Sequence, residues 1–226
     1  MRIEPLGDSA LLVRVVEEFA AEESLDAVLR GTRQLELAQI PGVTDLVPAY
    51  TTIGIFYDPT KGGSFDEFRE TIERALERTI DTRRSRAAAT VEVPVCYDGE
   101  FAFDLEEVAR RAALSPDEII RRHAEANYLV SCVGSTPGFP YLSGLPPELA
   151  TPRRASPRKE IPAGAVAIGG TQTGIYPRKS PGGWNIIGRT PLRLFDVDRN
   201  PPALFQAGDR VRFRKISRDE FDAFST

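Results

Sequence analysis

The chain has 226 residues, 41% of them apolar and 27% charged, with a formal net charge of −4. That length and apolar content allow one large domain or two small ones, and the acidic balance excludes a protein that is basic over a broad nucleic-acid-binding face. No apolar run reaches the length of a membrane span, and the opening MRIEPLGDSALLV lacks a signal-peptide core, so the expected location is the cytoplasm.

In chain order, Ile3 to Leu6 and Ala10 to Val15 predict two strands around a turn at Gly7-Asp8. A helix is expected over Phe19 to Gln39, with Leu25, Val28, Leu29 and Leu35 on one face, ended by Pro41-Gly42. Val43 to Val47 and Thr52 to Tyr57 read as strands. Ser64 and Glu67 form a capping-box pattern ahead of the helical stripe Phe65, Phe68, Ile72, Ala75 and Leu76. This ββαββα order predicts an antiparallel sheet covered by two helices on one side, a small α/β sandwich domain over 1–85.

The polar connector DTRRSRAAA at 81–89 is the expected boundary, and a second domain is read over 90–226. Thr90 to Tyr97 predicts a strand in which Pro94 marks an edge or bulge. Two helices follow. Asp104 with Glu107 is read as the cap of the first, and Ser115 with Glu118, plus Pro116 at the first helical position, as the cap of the second. Tyr128 to Val133 is a strand leading into a Gly/Pro-dense loop, GSTPGFPYLSGLPPE. From Ala165 to Ile216 the pattern is all β, so the second domain is expected to be a β-barrel with a helical-hairpin insertion.

The segment from Gly164 to Pro191, GAVAIGGTQTGIYPRKSPGGWNIIGRTP, carries the densest functional signal. Strand-length runs are separated by turn clusters at Gly169-Gly170, Pro177 to Lys179 and Ser180 to Gly183, and glycine-rich turns can aim backbone N–H groups at a ligand. Between Thr151 and Arg193 eight basic residues (Arg153, Arg154, Arg158, Lys159, Arg178, Lys179, Arg189, Arg193) face one acid, Glu160, a local net of +7 in an acidic chain. Two readings follow: a local anion site, or arginines paired with acids elsewhere in the fold.

Few residues offer chemistry. His123, the single histidine, falls four after Ile119 and so on the buried side of its helix. It is either a ligand contact or proton shuttle at the barrel mouth, or a hydrogen-bonded packing histidine. One histidine and two cysteines, Cys96 and Cys132, outside any CxxC pattern argue against a His/Cys metal site, and no metal is expected. Cys132 reads as a buried small hydrophobe, and Ser143, Ser156 and Ser180 lack a nearby His–Asp pair. Walker and GxGxxG loops are absent from the sequence. Phe139 and Tyr141 flank Pro140 and either clamp a ring or plug the barrel end; Gly138 is a candidate ligand wall. Trp184 is read as core or as the edge of a turn.

PGFPYLSGL, ATPRRASPRKEIPAGAVAIGGTQTGIYP, SPGGWNIIGRTPLRLFD and PPALFQAGDRVRF, with IEPLGDSALLVRV and VPVCYDGEFAFDLEEVA, together resemble a known family over nearly the whole chain. That family comprises the B subunits of 5-oxoprolinase, also described as allophanate hydrolase subunit 1. The chain departs from the family pattern at Ser135-Thr136, where a large apolar residue and alanine are expected. The resemblance implies an N-terminal α/β domain, a C-terminal cyclophilin-like β-barrel, a larger homologous partner (the C subunit) and a separate A subunit. It further implies ATP-dependent opening of 5-oxo-L-proline to L-glutamate, with ATP and Mg held by this chain or by a partner. Related proteins inhibit a sensor histidine kinase or serve urea carboxylase, and both remain alternatives. The cyclophilin likeness concerns fold alone. On this basis the expected pocket has His123 and Arg189 as catalytic residues. Its binding residues are Gly138, Phe139, Arg153, Arg158, Gln172, Tyr176, Gly182, Gly183 and Trp184, acting on a small amide, with no nucleic acid or membrane partner.

Overall fold

The structure, a computed structural model, describes residues 1–61, 64–78 and 89–224. The chain divides into two compact units, Met1–Ala87 and Ala88–Thr226. Of the expected connector, positions 81–88 lie outside the described residues.

The first unit contains β1 (Arg2–Pro5), β2 (Ala10–Arg14), α1 (Ala21–Ala38), β3 (Val43–Ala49), β4 (Thr52–Tyr57) and α2 (Phe65–Leu76). The strands form one antiparallel sheet in the order β1-β2-β4-β3. Strand alternation explains its one-sidedness: Ile53 and Ile55 are fully buried, whereas Phe56, the next residue along, is 41% exposed. Leu11, Val13, Ile53 and Ile55 meet Val28 and Leu35 of α1 and Phe68 and Ile72 of α2 in a single core. The predicted Ser64–Glu67 capping box is formed in both directions.

The second unit holds β5 (Thr90–Cys96), α3 (Leu105–Ala112), α4 (Pro116–Glu125), β6 (Tyr128–Val133), β7 (Pro140–Ser143), β8 (Arg158–Ile161) and β9 (Ala165–Gly169). It continues with β10 (Gln172–Ile175), β11 (Ser180–Gly182), β12 (Asn185–Arg189), β13 (Arg210–Ile216) and α5 (Arg218–Ala223). Seven of these strands close a barrel in the order β10-β7-β6-β13-β5-β12-β9, while β8 and β11 form a separate two-stranded sheet. Every barrel strand contributes to one apolar cluster, from Val93 and Val95 of β5 through Val130, Leu142, Val166, Ile168, Ile175 and Ile187 to Val211 and Phe213. Side chains shared by all seven strands meet only in the lumen. Leu105, Val108 and Ile119 from the helical pair join the same cluster.

Three local expectations are corrected. The Gly/Pro-dense loop after β6 contains β7, paired with both β6 and β10, and a 3-10 turn at Pro147–Leu149. The SPGG cluster is not a turn throughout: Ser180–Gly182 is β11, paired with β8. Helix α5 was not anticipated, although Ser217 and Glu220 form a complete capping box. Pro94 sits within β5 where β13 pairs in parallel along one side and β12 joins only at Cys96, so its missing N–H interrupts little.

Candidate functional site

Strand β9 separates two environments. Val166 and Ile168 point into the lumen, while Ala165 and Ala167 join Phe139, Ile161, Tyr176, Trp184 and Ile186 on the outer face. There the aromatic rings interlock. Phe139 lies 4.8 Å from Tyr141, 5.2 Å edge-on to Tyr176 and 5.6 Å edge-on to Trp184, and Tyr141 is 5.9 Å from Trp184. Glycines make this density possible. A Cβ at Gly169 would stand 2.5 Å from the Trp184 indole, and one at Gly182 would collide with the Tyr176 hydroxyl. Burial pushes the Tyr176 phenol above its ordinary range, opposed by a hydrogen bond from the Trp184 backbone and by the nearby charge of Arg153. Arg153 is exposed and its guanidinium lies 5.6 Å over the indole of Trp184, so the cluster presents one cation at its solvent rim.

The loop bearing Arg153 is fastened by Asp104. The sequence reads Asp104 as a helix cap, but its carboxylate makes no cap bond. It is 3% exposed and accepts instead from Arg154 Nη1 (2.6 Å), from Arg158 Nη1 and Nη2 (2.7 and 2.8 Å) and from the Ile186 amide (2.8 Å). Asp104 N–H returns a bond to the Ile186 carbonyl. One buried carboxylate thus ties the start of α3, the 152–158 loop and β12 together. Asn185 adds to this through Nδ2, which donates to the carbonyls of Pro152 and Ile168. Both readings of the basic segment therefore apply. Arg154 and Arg158 pair with Asp104, Lys179 with Glu160 and Arg193 with Asp196, whereas Arg153, Lys159, Arg178 and Arg189 have no carboxylate partner among the described residues.

His123 matches the second of its two readings, a hydrogen-bonded packing histidine. It is fully buried, stacked 4.5 Å from Phe213, with Nδ1 2.9 Å from the Tyr97 hydroxyl and Nε2 3.0 Å from Thr173 Oγ1. Thr173 spends its proton on the Ala167 carbonyl, so its oxygen accepts from Nε2–H, and Nδ1 in turn accepts from Tyr97. The neutral Nε2–H tautomer satisfies every polar atom. Burial accordingly depresses the imidazole to about 3, and nothing here offers it a proton-transfer route to solvent.

The other expected site residues divide by location. Phe139, Tyr176, Trp184, Gly182 and Arg153 are brought together. Gly183 lends its carbonyl to the Arg154 amide, and Arg158 serves Asp104. Gln172 pairs with Gly169 across the β9–β10 ladder. Gly138 is a packing position rather than a ligand wall: at φ +83°, a Cβ would lie 2.8 Å from Phe195 Cβ. Arg189 closes the far end of β12, about 13 Å along the strand from its start, where it lines a separate groove with Phe101 and Phe221. Sequence reading missed Asp104, Tyr97 and Thr173 as organising residues; an acid standing apart from a run of arginines was the one available signal. Among the described residues no cluster of three or more His, Cys, Asp or Glu is disposed to hold a metal ion, and no helix is long and apolar enough to cross a membrane.

A family model described as carboxyltransferase domain, subdomain C and D, matches residues 1–205. The chain is 40% identical over 233 residues to the B subunit of 5-oxoprolinase from Bacillus subtilis (strain 168), covering 99% of this chain and 96% of that protein. The crystal structure of TTHA0988 superposes with a TM-score of 0.78 at 38% identity, over 92% of this chain but 40% of that one. The urea carboxylase of Kluyveromyces lactis shares the fold, with a TM-score of 0.74 at 19% identity over 98% of this chain and 22% of that one.

Proposed function

We propose, on the premise that this chain belongs to the carboxyltransferase domain, subdomain C and D, family, that it is one component of a hetero-oligomeric ATP-dependent amidohydrolase of the 5-oxoprolinase type. The complex would open 5-oxo-L-proline to L-glutamate in the cytoplasm, together with a larger homologous C subunit and a separate A subunit. The observation that carries the reading is the near-full-length match to a protein named as the B subunit of 5-oxoprolinase. The outer-face cluster is consistent with it. Tyr141, the partly exposed ring, with Arg153 at the rim would offer a small planar amide bearing an anionic or strongly polar group an aromatic face and a cation, with Trp184 and Tyr176 buried behind them.

What this chain contributes is binding and orientation. The cluster contains no serine, cysteine or histidine placed as a nucleophile or base, so the reacting groups belong to partner subunits. The donor set also fits poorly with ATP: one exposed guanidinium beside the rings is too little for a triphosphate and its Mg. No step is assigned to ATP on this chain, and its site is proposed on a partner. A second reading, a carboxyltransferase-type partner handling urea or allophanate, draws on the fold shared with urea carboxylase.

The test is 5-oxoproline-dependent ADP release by the co-purified subunits. Turnover with 5-oxo-L-proline, absent when this chain is omitted, supports the reading. A complete set that turns over only urea or allophanate favours the second. Association with the larger C subunit is checked by co-expression and size-exclusion chromatography; separate elution at micromolar concentration refutes an obligate complex.

A further inference from the structure

At the end of β12 remote from Trp184 lies a groove of about 540 Å³. Phe101 and Phe221 form an apolar wall, their rings 4.6 Å apart. Two guanidinium groups lie over Phe101, Arg218 at 4.7 Å and Arg189 at 5.5 Å. Their electrostatic states differ. Arg218 is paired with both Glu100 and Asp222. Arg189 donates Nε to the Ala163 carbonyl at 2.9 Å and makes no ion pair among the described residues. With Nε committed and both ring faces of Phe101 and Phe221 steadying the group, the two terminal nitrogens keep their N–H donors, the end-on fork that matches a carboxylate.

We propose that this groove is a binding site for a small monocarboxylate with an apolar body. Arg189 receives the carboxylate, and Phe101, Phe221 and Leu192 receive the body. Glu100 and Asp222, which share the single charge of Arg218, line the same groove, and Arg193, also in the lining, is paired with Asp196. Arg189 therefore holds the one unpaired positive charge among the described residues of the lining, and phosphate and dicarboxylates are disfavoured. The site is separate from the aromatic cluster and goes beyond the proposed reaction. The competing account is that Arg189 merely packs between two rings.

The experiment is an amide-resolved NMR titration of the full chain with benzoate, benzamide and inorganic phosphate. Benzoate should saturate with a Kd at or below about 1 mM, shifting the amides of Gly164, Thr190 and Leu192. Benzamide, the same shape without the charge, and phosphate should each bind at least about tenfold more weakly. Arg189→Gln should weaken benzoate by about tenfold or more, and Arg189→Lys, which keeps the charge but not the fork, should fall between. Benzamide or phosphate binding as tightly as benzoate, shifts that map elsewhere, no saturation by about 10 mM, or an unchanged affinity in Arg189→Gln would each overturn the proposal. If Arg189→Gln does not fold, the benzoate–benzamide comparison in the unaltered protein decides.

Discussion

The Tyr97 hydroxyl donates to Nδ1 of His123 across 2.9 Å, and both side chains are closed off from solvent. With Thr173 on the opposite nitrogen, the imidazole bridges the residue that follows β5 and strand β10, and fixes α4 to both. Such a residue acts on folding. His123→Ala removes a ring stacked on Phe213 and leaves two buried hydroxyls without their partner, and should cost about 3–5 kcal/mol by urea unfolding.

Acid should expose the same group. The imidazole is held near 3 when folded, below its ordinary value of 6.5, so between those limits the unfolded chain binds the proton and the folded one does not. Stability from this residue is therefore complete above about pH 6.5 and falls by up to about 1.4 kcal/mol per unit as pH drops toward 3. A His123→Gln chain lacks that loss. The difference in urea midpoint between the two should shrink steadily from pH 7 to pH 4; a constant difference contradicts the assignment.

Asp104→Ala should loosen the loop that carries Arg153. It strands the Ile186 amide and two guanidinium groups, but Arg154 and Arg158 are 34% and 24% exposed and recover part of their hydration. A loss of about 2–3 kcal/mol is expected. Limited trypsin digestion gives the local readout: cleavage after Arg153, Arg154 or Arg158 should accelerate more than global unfolding accounts for.

Two glycines in one site should behave oppositely. Gly169→Ala drives a Cβ to 2.5 Å from the Trp184 ring and should cost about 1–3 kcal/mol, with a shift in tryptophan fluorescence. Gly183→Ala meets nothing nearer than 3.7 Å and should change stability by less than about 0.5 kcal/mol.

Arg153 is exposed and bonds to no acid, so it is expected to matter for ligand handling and little for folding. Arg153→Gln should lower kcat/KM of the reconstituted complex by about tenfold, or 1.4 kcal/mol, with the unfolding midpoint unchanged. Equal turnover would leave the cation without a role in the reaction.

The parts legible in the sequence are those governed by neighbours in the chain. Ser64 with Glu67, Ser115 with Glu118, and the alternation around Ile53 and Ile55 each declare themselves within a few residues. Strands β7 and β11 do not, because four or fewer residues with proline and glycine carry no periodicity and owe their state to partners β6, β10 and β8. Asp104 satisfies a local cap pattern yet answers to arginines 50 and 54 positions away. Arg189 and Trp184 sit five residues apart and read as one site, but an extended strand carries them to its two ends.

The parallel pairing of β5 with β13 dictates when the barrel can form. Thr90 opposes Arg210 and Cys96 opposes Ile216, so the seam joins segments 120 positions apart. Bringing such ends together costs on the order of 4 kcal/mol of chain entropy before any ladder bond repays it. On the ribosome β5 emerges early and must wait, its backbone unpaired along the side that β13 will occupy, until Ile216 has cleared the exit tunnel. A nascent chain stalled before that point offers a bare strand edge of β-branched residues, Thr90, Val91, Val93 and Val95, to any other extended segment nearby. The parallel seam is therefore the last part of the barrel that can form as the chain is made.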